Sequence, residues 1–179
     1  DIQNPIEAKL LVFDNSYGLT YINGESAEVK GIEGEWMFSL TPNIFTSGNI
    51  TLSDSEVTID PAKGGQLTNF VKRMTGHSEY VANLQLGFDS DDGMHSGSIV
   101  YNVFGERILA SGVDSRDEAY EQPFHSLDLV YTYYPSFSTK LKVKVKNVLG
   151  EDFEVVQDNI TVKSREIGTT VSIDFSWEI

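Results

Sequence analysis

The segment Val171-Ser172-Ile173-Asp174-Phe175-Ser176-Trp177-Glu178-Ile179 decides the fold. Every odd position from Val171 to Ile179 is apolar, and every even position is Ser, Asp or Glu. A period of two puts one set on each face of a β-strand. In water, a closing strand with an aromatic, apolar face and no cover is an aggregation hazard. The pattern is consistent if lipid meets the odd face and a polar interior meets the even one.

Working back from this strand, the same alternation recurs. Leu141, Val143 and Val145 alternate with a ladder of Lys140, Lys142, Lys144 and Lys146. Leu127, Leu129, Tyr131 and Tyr133 oppose Ser126, Asp128 and Thr132, and Ile99, Tyr101 and Val103 oppose Ser98 and Asn102. Ala82, Leu84, Leu86 and Phe88 oppose Asn83 and Gln85, and Ile50 and Leu52 oppose Asn49, Thr51 and Ser53. A long strand is expected from about Leu19 to Phe38, where the apolar parity slips near Gly31 and Ile32. The simplest reading of that slip is a β-bulge at the glycine. A first strand from Ile6 to Phe13 closes into it through the turn residues Asp14 to Gly18.

With no convincing helical period, the expected fold is an all-β, antiparallel, up-and-down transmembrane β-barrel. It has about eight strands, read as part of a larger barrel, in one segment covering residues 1–179. Connections alternate in length: short near Thr41, Asp91 and Pro135, long near Lys63, Asp114 and Asn159. Aromatic residues gather at the short-turn ends, with Trp36, Phe38, Phe88, Tyr133 and Trp177 forming an expected interfacial girdle. Four lysines would each cost a few kcal/mol near the middle of a lipid face, so the ladder is assigned to the lumen. Asp128 on one neighbouring strand and Asp174 on the other are its expected counter-charges.

Composition limits the function classes. Thirteen Lys plus Arg against 27 Asp plus Glu give a net charge of −14, which argues against nucleic-acid binding. Cysteine is absent, removing disulfide and thiolate chemistry. No apolar run reaches the length of a transmembrane helix, and a mean hydropathy of −0.22 is no obstacle to an alternating barrel. Beginning at Asp1 without Met or a signal peptide, the chain reads as a mature product or a piece of a longer one.

Read in order, several segments resemble the late barrel of TonB-dependent outer-membrane receptors. They are Asn4-Pro5-Ile6-Glu7, Tyr21-Ile22-Asn23, Ala27 to Glu33, Leu84 to Asp89, Tyr101 to Ile108, Tyr120 to Pro123, Leu127 to Tyr131 and Lys146 to Leu149. The resemblance implies a barrel of about 22 strands around an N-terminal plug. The TonB complex drives uptake of a scarce ligand such as an iron chelate, cobalamin or a glycan. This chain would supply about the last eight strands, without the plug and its TonB-contacting segment, and would not transport alone. Its expected partners are outer-membrane lipid, the remaining strands and plug (in the same or a separate chain), and TonB through that plug. The expected location is the bacterial outer membrane with the C-terminus periplasmic. The family usually ends on an aromatic residue; here Ile179 is last, with Trp177 two places earlier on the same face.

Two alternatives stand beside this reading: a self-contained eight-stranded outer-membrane barrel with a structural or adhesive role, and a soluble lipocalin-like binding barrel. No catalytic residue, cofactor or metal site is expected. Asp89 to Gly93 reads as an acidic hairpin turn rather than a Ca²⁺ loop. Alternation separates His125 from Ser126 and Asp128, against a hydrolase site. The external loops Pro61 to Ser78 and Ala110 to Pro123 hold the candidate ligand contacts Arg73, His77, Arg116, Tyr120 and Glu121.

Overall fold

The computed structural model describes residues 1–13 and 16–178; the expected turn at Asp14 and Asn15 and the terminal Ile179 lie outside the described residues. The chain opens with β1 (Ile2–Gln3), β2 (Ile6–Phe13), β3 (Ser16–Asn23) and β4 (Ser26–Ser39), followed by β5 (Ile44–Thr58). A single helical turn, α1 (Pro61–Gly64), and β6 (Val71–Lys72) lie in the long connection to β7 (Tyr80–Asp89) and β8 (His95–Phe104). Then come β9 (Arg107–Ala110), β10 (Ala119–Glu121), β11 (Phe124–Ser136) and β12 (Thr139–Lys146). The chain closes with β13 (Phe153–Gln157), β14 (Ile160–Arg165) and β15 (Thr170–Trp177).

The main sheet runs β1-β4-β5-β7-β8-β11-β12-β15, antiparallel throughout, with β6 added to β5. Three of its pairs, β4–β5, β7–β8 and β11–β12, are joined by short turns, which join antiparallel strands, and long connections bring β7 to β5, β11 to β8 and β15 to β12. The sheet is open: β1 pairs only with β4, and β15 only with β12, among the described residues. That does not support a self-contained closed barrel. Beyond the long-loop end, β8 continues as β9 and β10 leads into β11. There β14-β13-β10-β9 form a second sheet, and β2-β3 a separate hairpin. The long connection expected near Asn159 is therefore mostly the β13–β14 hairpin. Its turn residues Asp158 and Asn159 both have positive φ, 52° and 62°, as a two-residue type I′ turn requires.

Registers place the two alternating sets on opposite faces. Ile99, Leu129, Val145 and Val171 stand side by side, as do Phe88, Gly97, Tyr131, Val143 and Ile173. The same apolar face is exposed, with Ile173 and Phe175 each 69% accessible. A soluble lipocalin-like barrel would turn this face inward over a core, and neither buried cluster among the described residues contains any of it, so the structure does not support that alternative. The other face aligns Glu35, Asn49, Asn83, Asn102 and Ser126.

The five girdle residues share the apolar face, and their positions measure the tilt of the strands. Phe38 aligns through Thr46 with Leu86, and Phe88 lies two residues further toward the short turns. Phe88 aligns through Gly97 with Tyr131, two short of Tyr133; Tyr133 aligns through Leu141 with Phe175, two short of Trp177. The aromatic row thus climbs one residue per strand. With a rise of about 3.3 Å and a spacing of about 4.8 Å, a level row demands a tilt of about 35°, at the lower edge of the barrel range.

The strand expected from Leu19 to Phe38 is two, β3 and β4, which lie in different sheets, and the expected bulge at Gly31 is not there. β4 and β5 pair without a shift from Ser26 opposite Thr58 to Ser39 opposite Phe45. The parity slip reflects a change of surroundings. Near the short turns the apolar residues Ile32, Trp36 and Phe38 occupy the exposed face. Near the long loops Ala27 and Val57, on the opposite face, are buried with Ile59, Leu67 and Val113. Gly31 serves close approach instead, since a Cβ there would overlap Leu52 O and Ser53 Cβ.

Cross-strand glycines seat several aromatic rings: Trp36 lies over Gly48, Phe45 over Gly87, Phe88 over Gly97 and Tyr80 over Gly105. Such pairing fills the gap a strand glycine leaves. Gly48→Val should displace the Trp36 indole and cost about 1–3 kcal/mol. Gly34→Val, on the same face with nothing within 4 Å of an added Cβ, should be nearly neutral. Denaturant unfolding followed by Trp fluorescence would check the difference.

Candidate ligand-facing site at the long-loop end

The connection after β5 folds back rather than projecting freely. Asp60 caps α1, its carboxylate accepting from the Ala62 N–H at 2.9 Å, and Pro61 starts the turn, where its missing N–H costs nothing. Ile59 N–H donates to Phe70 O, and β6 then pairs with β5 at Val57 and Thr58. Leu67, Phe70 and Met74, which the sequence places in a polar loop, pack into the core around Val57 and Ile59.

This fold-back carries Lys72 to Glu7. The ammonium lies 2.6 Å from Glu7 Oε2, with side-chain exposures of 4% and 0%. Glu7 Oε2 also accepts from the Thr75 N–H at 3.1 Å, and Thr75 Oγ1 accepts from the Ala8 N–H. A buried carboxylate keeps its charge only when paired and hydrogen-bonded, so these contacts clamp β2 to the long connection. Ser111 extends the clamp, exchanging backbone bonds with Ala8 and Leu10 and donating its hydroxyl to Ala8 O at 2.9 Å. Glu118, also buried, accepts from Asn69 Nδ2 at 3.1 Å and from the Gly112 N–H.

Three of the five candidate ligand residues share one electrostatic neighbourhood here. Arg73 pairs with Glu79 at 3.2 Å, and its Nη1 donates to Glu106 O at 3.5 Å. His77 Nε2 lies 2.9 Å from Ser53 Oγ, while its Nδ1 is buried without a partner among the described residues. Burial, then the Arg73 charge, pushes the His77 pKa down from 6.5, so its imidazole is neutral at pH 7. Burial, then Glu118 and Glu106, pushes the Tyr120 phenol up, leaving it a hydrogen-bond donor. Tyr120 lines a cleft of about 300 Å³ with Glu106, Asp117, Gln122, Asp158 and Asn159.

The other two candidates are placed differently. Glu121 receives both Arg107 Nε and Nη2, at 2.6 and 2.9 Å, so its carboxylate is engaged within the fold. Arg116 lines a separate cavity of about 470 Å³ with Leu10, Leu19, Leu109, Val155 and Lys163. The sequence did not single out Glu7, Lys72, Glu106, Glu118 or Asp158. Each reads as an ordinary charged residue, and only folding across 65 positions makes Glu7 and Lys72 neighbours.

On the polar face of the main sheet, Lys142 stands opposite Asp174, Lys144 opposite Ser172, Lys140 opposite Ser176 and Lys146 opposite Thr170. The ion pair forms diagonally, from Lys144 to Asp174 at 3.4 Å. Asp128 accepts from Ser126 Oγ and from the Asn147 N–H, both at 3.0 Å. His125, on the opposite face from Ser126, lies 2.6 Å from the Tyr101 hydroxyl. In the acidic turn, Asp91 accepts from Asn43 Nδ2, and Asp92 accepts from Ser90 Oγ and the Met94 N–H.

Two variants test the clamp. Lys72→Met strands the buried Glu7 and should cost about 3–5 kcal/mol, seen as faster proteolysis within residues 61–78; adding Glu7→Gln should recover much of the loss. The unfolded chain binds the His77 proton more readily than the folded one. Stability from this group is therefore fully present above pH 6.5 and is lost as pH falls through the lowered folded value. Proteolysis of the same segment should accelerate between pH 7.5 and 5.5, relative to a free peptide, and His77→Gln should flatten that dependence.

No protein-family model matches the sequence, and no curated protein matches it. Among solved structures, the chain is similar to the copper transporter OprC, with a TM-score of 0.65 at 15% identity. It is also similar to the ferric enterobactin receptor PfeA from Pseudomonas aeruginosa, with a TM-score of 0.62 at 18% identity. Each match covers 98% of this chain and 27% of the other, so the chain spans about a quarter of the structures it matches. At these identities the likeness speaks for the fold, and in fold the chain is similar to a run of strands from the barrel of a TonB-dependent outer-membrane receptor.

Proposed function

We propose that the chain forms part of the wall of a TonB-dependent active transporter in a bacterial outer membrane, and that it has no catalytic role. The observation that carries this reading is the continuous exposed apolar face, bounded by an aromatic row that is level only at barrel tilt. Such a face suits lipid, and the opposite polar face with its lysines suits a water-filled lumen. In this reading the short turns and the C-terminus are periplasmic. The long connections are external, and a plug and further strands complete the transporter and meet TonB.

The ligand would be met first at the long-loop end. Tyr120 offers a phenol donor beside the carboxylates of Glu106, Asp117 and Asp158, with the Arg73 cation close by, while the His77 imidazole is held within the fold by Ser53. Such a mixture suits a hydroxyl-rich or metal-chelate ligand better than a simple anion. Glu121, bound by Arg107, follows Tyr120 in the chain, and Arg116 lines a separate cavity.

The chain contains two tryptophans, both in the girdle, so fluorescence quenching by lipids brominated at graded depths reads the membrane position directly. Quenching should be strongest for bromines near the headgroups. A monomer stable in plain buffer and unquenched by any brominated lipid would overturn the membrane reading. Within the complete transporter, Tyr120→Ala should weaken ligand binding about tenfold, the scale of one lost hydrogen bond of about 1.4 kcal/mol. Unchanged affinity would remove the long-loop site.

A further inference from the structure

The four-stranded sheet at the long-loop end has two unlike faces. Tyr120 stands opposite Val156, and both line the acidic cleft with Glu106, Asp117 and Asp158. Val155, one residue earlier, stands opposite Glu121 on one neighbour and Lys163 on the other. These three therefore belong to the reverse face. There the sheet packs against the β2–β3 hairpin, whose Leu10 and Leu19 are direct cross-strand partners. Leu10 packs on the buried Ala110, Ala119 and Val155, which fixes the hairpin over the sheet. Between the two lies the cavity of about 470 Å³, walled by Leu10, Leu19, Leu109 and Val155.

The charges of this cavity are all of one sign. Arg116 and Lys163 line it, and none of the described residues around it is a carboxylate. The Lys163 ammonium lies 5.6 Å from the centre of the Phe153 ring, and no ion pair holds it among the described residues. Glu121, the carboxylate on this face, is taken up by Arg107. In a chain with a net charge of −14, two cations at an apolar cavity are out of keeping with the rest of the surface. Leu19 and Val162, which also lines the cavity, are 50% and 53% accessible, so it opens to the outside. A concave, mostly apolar space of about 300–1,000 Å³ with a few polar groups that fix orientation is the usual form of a small-molecule site.

We propose that this cavity binds a small amphipathic acid. The apolar body lies against Leu10, Leu19, Leu109 and Val155, and the carboxylate meets Lys163 and Arg116. A head with one negative charge suits the site better than a doubly charged phosphate ester, because Asp114 and Asp117 flank Arg116 in the chain. The inference rests on the transporter reading only for the cavity's place on the external side. It adds a second site, on the opposite face of the sheet from the Tyr120 cleft and of opposite charge preference.

The test uses the full-length protein that contains this chain, held in lipid nanodiscs free of detergent. The probe is octanoic acid carrying a terminal diazirine, at a concentration below saturation, with the labelled residues mapped by mass spectrometry after illumination. Labels should fall on the peptides carrying Leu10, Leu19, Leu109 and Val155. Excess octanoate should suppress them, and octanamide should not. Lys163→Gln should lower labelling about two- to fivefold, the range of one solvent-exposed ion pair, and adding Arg116→Gln should lower it further. Lys142→Gln, on the polar face of the main sheet, should leave it unchanged. Lys163 and Arg116 are both exposed, so these variants keep the fold, which retained heat-modifiable migration verifies. Labels outside the cavity, equal competition by octanoate and octanamide, or labelling unchanged in the double variant overturns the acid site and leaves the transporter reading standing. Labelling at the cavity in a protein that proves stable and monomeric in plain buffer keeps the site and removes the transporter reading.

Discussion

Successive side chains of a β-strand leave on opposite sides, so a strand between two media must satisfy both at every residue. Its backbone groups must also be paired, because hydrocarbon offers them no partner. The main sheet meets the first demand with apolar residues on one face and Ser, Thr, Asn, Lys and Asp on the other. It meets the second by pairing each strand with its sequential neighbours through unshifted registers along most of their length. The aromatic row, the lysines of the polar face and the seated rings over Gly48 and Gly97 all depend on those registers being held.

The long-loop end obeys another rule. There the polar face is no longer wet, because the connection after β5 folds over it. Ala27, Val57 and Ile59 are buried on the side that carries Glu33 and Glu35 lower down. The β4–β5 pair passes from one regime to the other with its ladder intact, which is why a parity slip in the sequence need not be a bulge. A buried ion pair, Glu7 with Lys72, holds this upper region together. Removing one partner would leave an uncompensated charge, so the clamp constrains the geometry of Arg73, His77 and Tyr120 nearby.

The division of the molecule into a lipid-suited wall and a clamped polar end gives each its own chemistry. The wall is shaped by glycines and by the aromatic rings seated over them. The clamped end gathers carboxylates, a neutral histidine and a phenol around clefts between hairpins. Neither set of contacts uses a motif of fixed sequence spacing.

The sequence by itself determined the alternating strands β5, β7, β8, β11, β12 and β15 and which of their residues share a face, because successive side chains of a strand leave on opposite sides; it ran β3 and β4, which lie in different sheets, into one. The aromatic row was legible for the same reason: Trp36, Phe38, Phe88, Tyr133 and Trp177 sit near strand ends with the parity of the apolar set. Only the tertiary structure decided what the long connections do. Leu67, Phe70 and Met74 carry no alternation that marks them as core. Nothing local joins Glu7 to Lys72, or separates Arg116 from Tyr120. Contacts across tens of residues arise from chain folding in three dimensions, and no local periodicity encodes them.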